Sequence, residues 1–219
     1  MSMATQVWRG VARSWRSAAS KSSRGRLIYQ ALKNELDTTP AFWQIVEANA
    51  GYIKTMPLQI AERVTAKMAK GYAEGKRPEE LLKQVLADAP HLTRSHARLI
   101  ARTETSKAST ALTRVRAEAA GLSWYVWRTS KDERVRSSHD HMDGVVVSWA
   151  DPPSPEALDP RHTQRPYGEY HAGETFNCRC YPAPLLSYDD VSWPARVYYG
   201  GRLQRMTLAK FKAITGGEL

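Results

Sequence analysis

The sequence predicts an α+β fold: a helical N-terminal half with one long helix, a small irregular β-rich module, and a basic C-terminal tail. Three observations lead there. Apolar residues recur at helical spacing up to Ala120 and stop at Gly121. Directly afterwards Trp124 and Val126 alternate with Tyr125 and Trp127, the period of a strand. Five prolines, Pro152, Pro153, Pro155, Pro160 and Pro166, then make residues 151–170 a long irregular loop. The expected divisions are an arm with short helices (1–36), a helical domain (37–121), an α+β module (122–188) and the tail (189–219).

At 219 residues, 42% of them hydrophobic, the chain can bury one good core or two small ones. Seven tryptophans and ten tyrosines against three phenylalanines favour amphipathic surfaces beside a core. The formal net charge of +10 favours an anionic partner. Its distribution sharpens that. Residues 1–34 hold no Asp or Glu, yet carry Arg9, Arg13, Arg16, Lys21, Arg24, Arg26 and Lys33. The C-terminal end repeats the bias with Arg196, Arg202, Arg205, Lys210 and Lys212. Two such ends suit contacts with the phosphates of nucleic acid.

In order, Thr5–Ser20 reads as a basic helix with Val7, Trp8, Val11 and Trp15 near one face. Such a helix suits a membrane surface, a partner, or its own domain. Leu27–Leu36 reads as a second short helix. Thr39 before Pro40 is a start signal for a third. Pro57 precedes a helix over Leu58–Ala73, and Gly75-Lys-Arg-Pro78 resets the chain before a helix to Ala89, with Glu79 and Glu80 favourably placed in its first turn. The longest helix is expected over Leu92–Ala120, with Ile100, Ala108, Ala111, Leu112, Val115 and Ala119 on its apolar stripe. Its other faces are basic, with Arg94, Arg98, Arg102, Lys107, Arg114 and Arg116. Glu104 among them reads as an ion-pair partner rather than a catalytic acid. Tyr181–Leu186, with Pro182 and Pro184, reads as an edge strand. From Trp193 a basic tail is expected, with a short helix over Leu208–Ile214.

The residues able to bind a metal or move protons concentrate between Ser123 and Pro182. His139 and His141 stand two apart before Asp143-Gly144, and both cysteines of the chain sit in Cys178-Arg179-Cys180. Two cysteines do not make a disulfide framework, and reduced thiols fit a cytosolic setting. The basic N-terminus lacks an apolar core of the signal-peptide kind, and no run approaches a membrane span. One reading is a structural zinc site, since thiolates and imidazole suit that ion. Cys178 and Cys180 supply two ligands and His139 the third; His171 and His141 compete for the fourth, with His162 behind them. The metal would also close the long loop. The other reading needs no metal: both cysteines are small buried apolar groups on one strand face with Arg179 opposite, Asn177 holds a turn, and Asp143-Gly144 makes another.

Taken together, Ala101–Glu104, the Trp-containing strand, Asp132-x-Arg-Val-Arg-x-x-His139, Asp143-Gly144 and Asn177-Cys-Arg-Cys180 resemble, in that order, the phage minor head protein family typified by protein F of phage Mu. The resemblance runs from about Ile53 to Pro182 and makes the module a Mu F-like one. It implies a non-enzymatic head-morphogenesis protein: an internal capsid component near the portal, assembled in the host cytoplasm and present in the virion. The implied partners are the portal, other head proteins and double-stranded DNA through its phosphates, with no small-molecule substrate. Transient membrane contact by the Trp8 and Trp15 helix is a further expectation. Many members resemble a fuller zinc pattern, with Cys-x-x-Cys before Asp-Gly and His-Pro-Asn-Cys-Arg-Cys at the end. Here Arg136 stands at the first Cys position, His139 at the second and Thr175 at the terminal His. The alternative function is a phage-carried, metal-dependent DNA-processing or toxin-like enzyme. Its support is the His-Asp-His cluster beside several arginines; no paired-carboxylate site accompanies it.

Overall fold

A computed structural model of the chain describes residues 39–50, 53, 56–162 and 165–217. The basic arm, with Arg9, Arg13, Arg16, Lys21, Arg24, Arg26, Trp8 and Trp15, lies outside the described residues.

Local signals set the helix limits. Helix α1 covers Thr39–Ala50, α2 Leu58–Ala73, α3 Pro78–Asp88 and α4 Arg94–Ala119. Pro57 precedes α2, Pro78 occupies the first turn of α3, and the Thr93 side chain caps α4 by accepting from the His96 backbone N–H. Gly71 lets α2 and α3 close: a Cβ there would stand 2.4 Å from Leu81 Cδ2. Helix α4 is the spine. Its Ala97 and Ile100 pack with Val64, Met68, Leu81 and Val85. Farther along, Ala111, Leu112 and Val115 meet Phe42 and Val46 of α1. Ala117 reaches the core of the sheet module. Glu104 is paired with Lys107 at 3.1 Å, both buried, as expected of a structural ion pair. Burial raises the Glu104 pKa against the pull of Lys107.

The sheet holds five strands: β1 Trp124–Thr129, β2 Val146–Ser148, β3 Cys180–Pro184, β4 Ala195–Tyr199 and β5 Arg202–Met206, in spatial order β3-β1-β2-β4-β5. Strand β1 is antiparallel to β2 and β3, β2 is parallel to β4, and β4 is antiparallel to β5. The alternation in β1 divides two cores. Tyr125 and Trp127 join Met142, Val145, Trp149 and Tyr170 on one face. Trp124 and Val126 join Val197, Met206 and Phe211 on the other. Strand β3 lies at the edge, where its prolines cost no ladder bond to a further strand. Short helices interrupt the connections: α5 Ser137–Met142 and α6 Pro155–Leu158. Helix α7 closes the chain at Leu208–Ile214, as expected.

The basic tail expected from Trp193 is instead largely sheet. Ala195, Val197 and Met206 are buried, while Arg196, Arg202 and Arg205 are exposed. The charge therefore sits at exposed positions on both faces of a paired hairpin: Arg196 and Arg205 are cross-strand partners on one face, and Arg202 shares the other face with Val197 and Met206. Gly200 and Gly201, with φ of 61° and 75°, form its two-residue turn. Among the described residues, no helix is long and apolar enough to cross a membrane.

Candidate metal centre

Three segments converge above Trp127. The first is α5. Asp143 just beyond it accepts from the Thr129 backbone N–H at 2.9 Å and from the Thr129 hydroxyl at 3.3 Å. This ties the end of α5 to the end of β1 and sets the His139 ring 5.8 Å from the Trp127 ring. The second is the turn before β3. Asn177 sits there at φ 49°, a left-handed conformation that asparagine tolerates. Its backbone N–H donates to Thr103 Oγ1 of α4 at 2.9 Å. Arg136 donates to the Phe176 carbonyl at 2.9 Å, and its guanidinium lies 4.5 Å from the Phe176 ring centre. The third is the Pro-rich loop, which brings Glu156 and Tyr170. Thr110 of α4 holds the neighbouring chain by donating to the Ala172 carbonyl at 2.8 Å.

The centre is buried and dense in donors. Cys178 Sγ and Cys180 Sγ both lie 3.4 Å from His139 Nδ1. The other ring nitrogen, Nε2, is 3.0 Å from the Tyr170 hydroxyl and 3.6 Å from Glu156 Oε1. The Tyr170 hydroxyl donates to Glu156 Oε1 at 2.5 Å, and Ser138 Oγ donates to the same oxygen at 3.2 Å. His139 is 1% exposed and Glu156 2%. Glu156 Oε2 is buried and has no hydrogen-bond partner.

The electrostatics follow from this packing. Burial opposes charge on His139, but its contacts with Cys178 and Glu156 outweigh that and raise its pKa. Burial also opposes charge on Glu156, yet the bonds from His139 and Tyr170 hold it at about 2. The two thiols share their protons unequally. The bond with Cys180 lowers Cys178 to about 4, with His139 assisting against burial; Cys180 is pushed up, first by Cys178 and then by burial. Burial and the Glu156 carboxylate push Tyr170 up as well. Such a group can hold a soft cation or carry a thiolate beside an imidazolium.

Of the residues expected as ligands, the structure gathers His139, Cys178 and Cys180, whose donor atoms all lie within 4.8 Å of one another. His171 stands elsewhere. Its Nδ1 faces the Tyr125 hydroxyl at 3.2 Å, its ring packs on Trp149, and Nε2 has no hydrogen-bond partner. Burial and the charge of Arg114 lower its pKa to about 3. Neither His141, half-buried on α5, nor His162 joins the group. Arg136 and Thr175, which stand where the resemblance implies a first Cys and a terminal His, are committed to Phe176 and to the buried turn. The donor set still fits a zinc-class ion: two sulfurs and an imidazole converge, beside a buried carboxylate whose charge calls for a cation. Sequence reasoning missed Glu156, Tyr170 and Thr110, and used Thr103 only as part of the Ala101–Glu104 stretch, with no role of its own. Glu156, Tyr170 and Thr110 carry no local signal.

The basic residues are split. Arg202, Arg205, Lys210 and Lys212 are exposed on β5 and α7, and Lys212 Nζ lies 4.8 Å from the Tyr188 ring centre. Arg94, Arg98 and Arg102 are exposed on α4, but Lys107 and Arg116 are buried at 7% and 3%. The expected basic face of the long helix is therefore densest in its first half; in the second, Arg114 stays half-buried and pairs with Glu118 at 2.9 Å.

The Asn-Cys-Arg-Cys turn, docked on α4 and facing His139 across the sheet module, lies inside a match of residues 62–182 to the family described as Phage Mu protein F like protein. The chain belongs to that family. The match covers more than half of the chain and takes in α3, α4 and β1, and it ends in β3. An uncharacterized protein of Haemophilus influenzae is 30% identical over 170 residues, which is 78% of this chain and 35% of that protein. The chain thus spans about a third of the length of the curated relative it matches. No solved structure matches it.

Proposed function

We infer that the chain is a phage head-morphogenesis protein: a structural component that contacts other head proteins and the phosphates of packaged DNA. The observation that carries this reading is the family match across both the helical layer and the sheet. In this reading the protein resides in the virion, inside the capsid near the portal, and supports assembly, packaging or delivery of the genome. The DNA contact rests on charge. The net charge is +10, and Arg202, Arg205, Lys210 and Lys212 are exposed on β5 and α7. Phosphate contacts of this kind release counterions and do not read bases.

Two experiments test it. The protein should co-purify with portal or heads from an assembling phage; its absence from both removes the head assignment. Binding to a short duplex should fall steeply with salt and ignore sequence. Replacing Arg202, Arg205, Lys210 and Lys212 by alanine should flatten the log–log salt slope by roughly 3 to 4. Sequence-specific or salt-insensitive binding contradicts the phosphate reading.

A second reading, a metal-dependent DNA-processing or toxin-like enzyme, has one specific observation behind it: a thiol beside a histidine that a buried carboxylate orients. Turnover of DNA with added metal, lost in His139→Ala, would favour it over the structural role.

A further inference from the structure

We propose that His139 Nδ1, Cys178 Sγ and Cys180 Sγ form a three-ligand site for a thiophilic divalent cation of the zinc class. Glu156 and Tyr170 fix His139 from behind, and the fourth position is left to an external ligand. This proposal is independent of the head assignment.

The hydrogen-bond geometry assigns the imidazole tautomer. The Tyr170 hydroxyl has one hydrogen, and Glu156 Oε1 takes it at 2.5 Å. Toward His139 the Tyr170 oxygen can therefore only accept, so Nε2 at 3.0 Å carries the ring hydrogen. Glu156 Oε1, 3.6 Å from Nε2, reinforces that choice. Nδ1 then presents a bare lone pair, and both sulfurs face it at 3.4 Å. Two thiols cannot both donate well to one lone pair. One cation in place of their two protons satisfies all three atoms.

The distances agree. With metal–sulfur bonds of about 2.3 Å and metal–nitrogen bonds of about 2.0 Å, tetrahedral ligands sit about 3.5 Å apart. The observed 3.4 Å separations are close to that value. The carboxylate–histidine arrangement is the outer shell that such sites use to set the ring and raise its basicity. The Cys180 backbone N–H points at Cys178 Sγ at 3.4 Å, a donor suited to a thiolate. No other His, Cys, Asp or Glu among the described residues joins the three, which leaves one tetrahedral position for water or an exogenous donor.

The test uses the full chain, reduced, stripped by a chelator and titrated anaerobically with Co(II). One equivalent should bind, with a sulfur-to-cobalt charge-transfer band and the strong visible bands of a tetrahedral ion, and Zn(II) should displace it. Cys178→Ser and Cys180→Ser should each remove about half of the charge-transfer intensity, in proportion to the thiolates lost. His171→Gln and His141→Gln should bind as the parent does. Glu156→Gln keeps all three ligands and should weaken binding by about 10- to 100-fold at unchanged stoichiometry. Added imidazole should shift the visible bands. If a serine variant fails to fold, the parent decides: stoichiometric Zn(II) should raise its melting temperature. A folded parent with no charge-transfer band overturns the site. Loss of binding in His171→Gln overturns the ligand set, and a spectrum indifferent to imidazole overturns the open position.

Discussion

His139 and His171 sit in the same core, 1% and 2% exposed, against the same sheet face, yet their surroundings divide their chemistry. His139 stands between two sulfurs and a carboxylate, and its pKa is raised. His171 stands between Tyr125 and Trp149 with one nitrogen unpartnered, and its pKa falls to about 3. Burial is common to both and would drive both toward the neutral form. What separates them is the second side of each ring. A buried carboxylate on that side favours the charged form of one histidine; aromatic faces make the other a packed neutral base.

Acid provides the largest expected effect. The folded pKa of His171 lies below its unfolded value of about 6.5, so the unfolded state binds the extra proton. The stability tied to neutral His171 is complete above pH 6.5 and is lost as pH falls toward 3, by on the order of 4 kcal/mol. Denaturant melts of His171→Gln should lack that slope between pH 6 and about 4.5. An unchanged slope there would erase the contrast between the two histidines.

Next comes Gly173, which lies between His171 and the cysteines at φ 92°. A Cβ there would stand 2.4 Å from Thr110 Oγ1 and 3.1 Å from the Cys180 carbonyl. Gly173→Ala should cost about 2 to 3 kcal/mol in chemical denaturation and disturb both regions together. Glu156 acts in a lower window than His171. Its folded pKa is about 2 against an ordinary 4.5, so its contribution is present above pH 4.5 and is lost as pH falls through 2. Glu156→Gln should flatten that lower window alone, by about 2 kcal/mol. The smallest effect is expected from Thr103→Val, which removes the acceptor for the Asn177 N–H and should cost about 1 kcal/mol. It touches only the His139 side, so a changed His171 acid slope in that variant would show the two regions to be coupled.

Much of the frame was legible in the chain. The alternation of Trp124 and Val126 with Tyr125 and Trp127 named the two faces of β1, and Pro57 and Pro78 marked helix starts. The twin glycines at 200 and 201 carried a hairpin signal that the surrounding arginines obscured, because exposed charges along a strand look like a tail when its pairing is unknown. Half of the centre was legible too: Cys178, Cys180 and His139 stood out by residue type. Glu156 did not, being one carboxylate in a Pro-rich loop, and neither did Thr103 and Thr110 on a helix full of small polar residues.

The sequence by itself determined the helical layer and the two faces of β1, pointed to the family and singled out the candidate soft donors, because periodicity, turn residues and donor chemistry are local properties. Only the tertiary structure decided which histidine faces the thiols. That choice depends on Tyr170 and Glu156, 31 and about 17 residues from His139, arriving on the far side of its ring. Local pattern cannot carry such information, since a proton's position on an imidazole is set by what touches the other nitrogen.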